Sequence, residues 1–247
     1  MSRTKIDKEN NIVIKDFKLS SRRFKKWRFL KEKSLYERLE KDIPKLLDVE
    51  NMKLKIEYID GNRPEEKECY KAVEKLVDFQ LSGVEPETNF ILSLIDSPMF
   101  KTILFSFLII PDIGIKYFFK LMKEIINYMI KGAIDEKILI HNDFHRSNII
   151  KDNSNYYFLD LESATKVKYI IFTDINKYTF ISKNMNYEED ILNYYLEILE
   201  KKSEKIYNQI DIELEKKIAE IFRSVKRIRS NSKNKDKYLI YLKEILD

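Results

Sequence analysis

Cysteine is nearly absent from this chain of 247 residues. Cys69 stands by itself, which excludes a disulfide framework, a cysteine-built zinc site and a CxxC redox pair. Glycine is almost as scarce, with four in all and none before Gly61, so no glycine-rich phosphate loop can be drawn near the start. Long apolar runs are missing too. The most apolar stretch, Met99 to Phe119, is broken by Lys101, Pro111, Asp112 and Lys116, and no run reaches the roughly 18 apolar residues of a spanning helix. The opening MSRTKIDKEN is charged and has no apolar core. It carries no secretory signal, so a soluble, cytoplasmic protein is expected. Neither an internal repeat nor a low-complexity tract is visible.

What is present suits a packed protein. Apolar residues make up 44% of the chain, with 15 Tyr and 15 Phe, enough for a core in one large domain or two small lobes. The net charge of +5 is unevenly placed. Segments 18–33 and 223–237 carry +7 and +6, so the remainder carries −8. Clusters of this kind attract nucleic acid, anionic lipid or phosphorylated ligands, or are simply solvated helix faces. Neither holds a nucleic-acid-binding motif; the partners expected are a small-molecule or sugar substrate and, through these basic segments, a membrane surface. The first interleaves Phe24, Trp27 and Phe29 with its charges, as a base-stacking platform or a loosely spaced packing face would.

Ile12–Phe17 is short and β-branched after the turn-like KENN, so it reads as the second arm of a hairpin. From about Ser21 to Leu39 the pattern is helical. Glu32, Leu35, Tyr36 and Leu39 recur at i, i+3, i+4 and i+7, which puts an acidic residue on the apolar face. An inward carboxylate needs a partner, because burying a lone charge costs several kcal/mol. Lys45–Glu50 and Lys53–Ile59 read as two strands, and Asp60-Gly61-Asn62-Arg63-Pro64 as a break. Helices then dominate, interrupted by a predicted hairpin of Asn148–Lys151 with Tyr156–Leu161. Strands with one helix, followed by a long helical region, predict an α+β fold.

Both histidines of the chain lie in one segment, His141-Asn142-Asp143-Phe144-His145-Arg146-Ser147-Asn148, and Asp160 follows twelve residues after Asn148. Three readings compete. A zinc pair at i and i+4 needs a helix, yet strand-like runs flank the segment and the glutamate of HExxH is missing. A polar turn whose Asp and Asn cap local backbone is the second. Phosphoryl transfer is the third. It requires a carboxylate to aim and deprotonate a nucleophile, and oxygen ligands to hold Mg²⁺ against the phosphates. A hairpin returns its strand ends to within about 5 Å. Asn148 and Asp160 can therefore share a metal while Asp143 stands in the loop beside them.

The run HNDFHRSNII…FLDLESA resembles the catalytic loop and metal strand of the protein-kinase-like superfamily. It is similar in particular to the aminoglycoside/choline phosphotransferase branch and to bacterial lipopolysaccharide-core sugar kinases. His145 and Glu162 stand where protein kinases usually have Lys and Gly, and match the small-molecule branch instead. Upstream, Val13-Ile14-Lys15 resembles the strand with the phosphate-contacting lysine, and Glu32-Lys33-Ser34-Leu35 the helix whose glutamate pairs with it. Ile56-Glu57-Tyr58-Ile59 resembles the hinge, where backbone of Glu57 and Ile59 would meet adenine. The matched segments run from about residue 12 to 165. The resemblance implies a two-lobed fold, with a β-rich N-lobe of residues 1–59 whose first hairpin is shortened, and a helical C-lobe of residues 60–247. It implies a kinase using ATP and Mg²⁺, with Asp143 catalytic, Asn148 and Asp160 on the metal, and a small molecule or sugar as acceptor. The missing glycine-rich loop keeps a pseudokinase, a nucleotide-binding or scaffold protein, as the alternative. For the acceptor, Glu188-Glu189-Asp190 with Tyr187, Tyr194 and Tyr195 would suit a cationic amine, and the basic segments an anionic sugar.

Overall fold

The computed structural model describes residues 3–20, 24–65, 68–175, 185–230 and 234–247, and for 185–189 the backbone only. Strands β1 (Arg3–Asp7), β2 (Ile12–Asp16), β3 (Leu46–Glu50) and β4 (Lys53–Glu57) form one antiparallel sheet in the order β1-β2-β4-β3. The β1–β2 turn needs no glycine. Asp7 accepts from both the backbone and the side chain of Asn10, and Asn11 takes the left-handed backbone (φ 54°) that asparagine tolerates. Register Thr4↔Lys15 and Lys15↔Leu54 sets Lys15 in the middle of the sheet.

Helix α1 (Lys25–Arg38) meets this sheet through Glu32, which accepts from Lys15 of β2. Glu32, Leu35, Tyr36 and Leu39 are all buried, as their spacing predicts. Lys31 and Phe29 are buried as well. The basic segment around α1 is therefore not wholly a solvated face. Nor is it a stacking platform: Phe29 packs edge-on to Phe17 (5.7 Å between centroids), and Phe24 stacks on Trp27 (5.5 Å). Arg22 and Arg23 lie outside the described residues.

The helical part holds α2 (Cys69–Gln80), α3 (Phe90–Asp96), α4 (Pro98–Leu108), α5 (Ile110–Ile113) and α6 (Ile115–Lys131), then helices Met185–Lys202, Ile212–Arg229 and Lys235–Leu246. Local chemistry sets several of their starts. Asn89 caps α3 by accepting from Leu92 N–H (2.7 Å), and Pro98 opens α4. Asp211 caps Ile212–Arg229, whose first turn is acidic and whose last turn holds Lys226, Arg227 and Arg229, complementing the helix dipole. Part of the second basic segment is thus a helix C-terminus.

Two small ladders carry the polar loops. Strand β5 (Ile138–Ile140) pairs with β8 (Thr165–Val167), while β6 (Ile149–Asp152) and β7 (Asn155–Phe158) form the predicted hairpin in register Ile149↔Phe158. The break at Asp60–Asn62 is strapped to that hairpin: Asn62 N–H bonds Lys151 C=O (2.9 Å) and Lys151 N–H bonds Asn62 C=O (2.7 Å). Gly61 permits the approach, since a Cβ there would lie 2.3 Å from the Lys151 carbonyl oxygen. One hydrophobic cluster runs from Phe17 and Leu54 under the sheet to Tyr128, Ile140 and Val225 among the helices.

Candidate active site

The site begins with a buried ion pair. Lys15 Nζ donates to Glu32 Oε1 at 2.5 Å and to Asp160 Oδ1 at 3.0 Å, with Lys15 6% and Glu32 0% exposed. Burial works against the Lys15 ammonium, but Glu32 and Asp160 outweigh it and hold the pKa above the ordinary lysine value. Burial pushes the Glu32 carboxyl up to about 7 while Lys15 pulls it back. The sheet, helix α1 and the segment after the β6–β7 hairpin are thereby joined at one ammonium.

Asp160 follows β7 with φ 59° and ψ 57°, a left-handed turn that aims its side chain at Lys15. Residue pairing brings Asn148 beside it, for Leu159 N–H bonds Asn148 C=O (2.9 Å). Asn148 Nδ2 donates to the Asp143 carbonyl (3.0 Å) and to Asp143 Oδ2 (3.3 Å). Lys15 thus joins Glu32 and Asp160, Asn148 joins Asp143, and the two groups meet where Leu159, the residue before Asp160, bonds the Asn148 carbonyl. Glu162, 1% exposed, adds a third carboxylate: oxygens of Glu32, Asp160 and Glu162 lie within 4.8 Å of one another.

The histidines do different work. His141 is fully buried among the rings of Phe79, Phe144 and Phe158, where burial lowers its pKa and keeps it neutral. Its Nε2–H donates to the Leu159 carbonyl (2.8 Å), which pins the loop to the residue before Asp160. His145 is partly exposed. Its Nδ1 faces Ser147 Oγ (2.6 Å) and its Nε2 lies 3.5 Å from Asp143 Oδ2.

Residues that spacing did not single out hold this loop in place. Asp174 accepts from the backbone N–H groups of both His141 and Asn142 (2.7 Å each). Asp96, at the end of α3, pairs with buried Lys31 and with Arg28 (3.2 Å), and its carbonyl accepts from Asn142 Nδ2 (2.8 Å). Arg28 also reaches the Glu162 carbonyl (3.4 Å). One aspartate thus ties α1, which carries Glu32, to the loop that carries Asp143.

A cleft of about 260 Å³ opens between sheet and hairpin. Val13 and Ile56 line one side, Ile150 and Leu159 the other, and Lys15, Asn148 and Asp160 its polar end. Glu57 and Ile59 both border it. The Glu57 amide is held by the Lys45 carbonyl (2.8 Å), and the Ile59 carbonyl accepts from Gly61 N–H (3.1 Å). The tyrosines considered for the acceptor pocket are packing residues: Tyr195 is buried with its hydroxyl on Gln80 (2.8 Å), and Tyr194 meets Tyr70 edge-on. The side chains of Tyr187, Glu188 and Glu189 lie outside the described residues, and Asp190 is exposed.

No protein-family model matches the chain, and no curated protein matches it. Solved structures do. A putative fructosamine-3-kinase from Thermobifida fusca aligns with a TM-score of 0.63 at 10% identity, covering 95% of this chain and 85% of that one. Choline kinase LicA from Streptococcus pneumoniae aligns with 0.59 at 15% identity over 95% and 85%. The ADP-bound aminoglycoside phosphotransferase APH(2'')-Ib aligns with 0.56 at 15% over 96% and 86%. The two-part α+β architecture is the protein-kinase-like fold of small-molecule kinases.

Proposed function

We propose that this chain is an ATP-dependent phosphotransferase that moves the γ-phosphate to a hydroxyl of a small molecule or sugar. One observation carries the reading: Lys15, Asn148 and Asp160, from separate segments of the chain, line the polar end of one cleft, with Glu32 bonded to Lys15 and Asp143 to Asn148 just behind them. In this reading residues 1–59 are the nucleotide-binding lobe and residues 60–247 the catalytic lobe. Adenine would enter between Val13 and Ile56 on one side and Ile150 and Leu159 on the other, meeting backbone at Glu57 and Ile59. Because the Glu57 amide is already bonded, the carbonyl is the group Glu57 would offer.

Lys15 would hold the α- and β-phosphates, aimed by Glu32. Asp160, the Asn148 side-chain oxygen and Glu162 are hard oxygen donors of the kind Mg²⁺ takes. Asn148 commits its Nδ2 to Asp143, which leaves Oδ1 for a metal. When bound, Mg²⁺ would neutralise negative charge on the phosphates. Asp143 would aim the acceptor hydroxyl in line with the γ-phosphate and take its proton late, with His145 beside it to steady the carboxylate. Such a reaction draws on cytoplasmic ATP.

The test is turnover with ATP and Mg²⁺ on a panel of choline, ethanolamine, fructosamine, aminoglycosides and lipopolysaccharide-core sugars, read by mass spectrometry. An acceptor gaining one phosphate supports the reading and names the substrate. Tight ATP binding with no product on any acceptor would favour the pseudokinase instead.

A further inference from the structure

Helix α6 is apolar on two faces. Phe118, Leu121, Ile125 and Tyr128 are buried in the core. Ile115, Phe119, Ile126 and Ile130 form a second stripe, roughly 130° further round at 100° per residue, and it faces solvent. Phe119 is 65% and Ile130 77% exposed. A helix on the surface of a soluble protein needs one apolar stripe, and contiguous exposed apolar surface marks a binding face.

This stripe is contiguous with its neighbours. The exposed Phe107 of α4 stands 5.1 Å from the Phe118 ring, which stands 5.8 Å from Phe119. Leu104 and Leu108 continue the exposed face along α4. At the other end the Tyr169 hydroxyl meets the Met129 carbonyl (3.5 Å), and Tyr169 shares a shallow groove with Phe90, Leu94, Lys137, Lys166 and Lys168.

The border is cationic. Lys116 and Lys123 are exposed on the sector of α6 next to the stripe. Against α4, Arg229 sits 4.6 Å from the Phe105 ring. Three acids are held in ion pairs: Asp112 with Lys235, Asp247 with Lys120 and Glu124 with Lys217.

Charge decides between the candidate occupants. A second copy of the chain packed by two-fold symmetry would press one lysine border against another. An anionic bilayer offers hydrocarbon to the stripe and phosphate to the lysines. We propose that the exposed face of α4 and α6 is a peripheral contact surface for an anionic phospholipid bilayer. Among the described residues no single helix is long and apolar enough to cross a membrane, and the apolar pair α3 and α4 is bent by 66°.

The full chain is to be sedimented with vesicles of phosphatidylcholine alone and with vesicles of phosphatidylcholine and phosphatidylglycerol in equal parts. The wild type is expected to bind the anionic vesicles, less at high salt, and to bind the neutral ones far less. The double variants Phe119→Ser/Ile126→Ser and Lys116→Glu/Lys123→Glu should each lower partitioning about tenfold or more. All four positions are exposed, so thermal unfolding should hardly move. If the apolar pair proves unstable, the lysine pair carries the test. Equal binding to both vesicles, no binding by the wild type, or wild-type binding by both variants overturns the proposal. So does a concentration-dependent dimer that Phe119→Ser/Ile126→Ser dissolves, which would assign the face to a second copy.

Discussion

Replacing Asp96 by Asn keeps the shape of the side chain and removes one charge. Lys31, 1% exposed, would be left in the interior without its counter-ion, beside Arg28. Removing one partner of a buried pair costs about 3–5 kcal/mol. A ceiling follows from Lys31 itself. The lysine can shed its proton, which from an ordinary pKa of about 10.4 costs about 4.6 kcal/mol at pH 7. Burial already draws the Lys31 pKa down, so the cost falls below that ceiling. Urea titration of wild type and Asp96→Asn at pH 7 measures it. The pH dependence identifies the cause. A lysine with a depressed folded-state pKa leaves more protons on the unfolded chain, so the variant regains stability as pH rises. Between pH 7 and 9 the deficit should shrink by up to about 2.7 kcal/mol. Nucleotide affinity should weaken too, because α1 carries Glu32. A deficit under about 1 kcal/mol with no pH dependence would refute the reasoning.

Three further outcomes are expected. Gly61→Ala forces a Cβ to 2.3 Å from the Lys151 carbonyl oxygen, which should cost about 1–3 kcal/mol and lower the melting temperature by a few degrees, read by calorimetry. Burial pushes the Glu215 carboxyl up to about 7 against the Tyr128 hydroxyl bond, so the folded state holds a proton that the unfolded chain releases above about 4.5. This group's contribution is therefore fully present below pH 4.5 and lost as pH rises to 7, a loss of about 3 kcal/mol that Glu215→Gln should abolish in unfolding titrations across that range. Asp160→Asn removes a charge from the oxygen donor set and from Lys15, so the Mg²⁺ dependence of nucleotide binding, followed by calorimetry, should weaken markedly.

Local pattern made much of the site legible. The i, i+3, i+4, i+7 spacing turned Glu32 inward, and the hairpin chemistry at Asp152–Asn155 returned Asn148 to the neighbourhood of Asp160. Lys15 is legible only through the resemblance of Val13-Ile14-Lys15 to the lysine-bearing strand of the protein-kinase-like superfamily, and its ion pair with Glu32 spans 17 residues. Non-local pairs left no such trace. Lys31 meets Asp96 across 65 residues, and a lysine in a basic run reads as solvated until its counter-ion is known. Asp174 supports the loop from 33 residues away through backbone amides, which carry no side-chain signature. Strands β5 and β8 have three residues each, too short for alternation to show. Tyr194 and Tyr195 look like pocket residues in composition, yet helix packing against α2 consumes them.

The central claim rests on Asp143, and one paired measurement tests it most directly: ATP affinity by calorimetry and acceptor phosphorylation by mass spectrometry on wild type and Asp143→Asn. Asp143 contacts Asn148 and borders His145, while Lys15 takes its charge partners from Glu32 and Asp160. The variant should therefore bind ATP nearly as tightly as the wild type while turnover falls by a factor on the order of 10² or more. Acceptor turnover that survives Asp143→Asn would contradict the account.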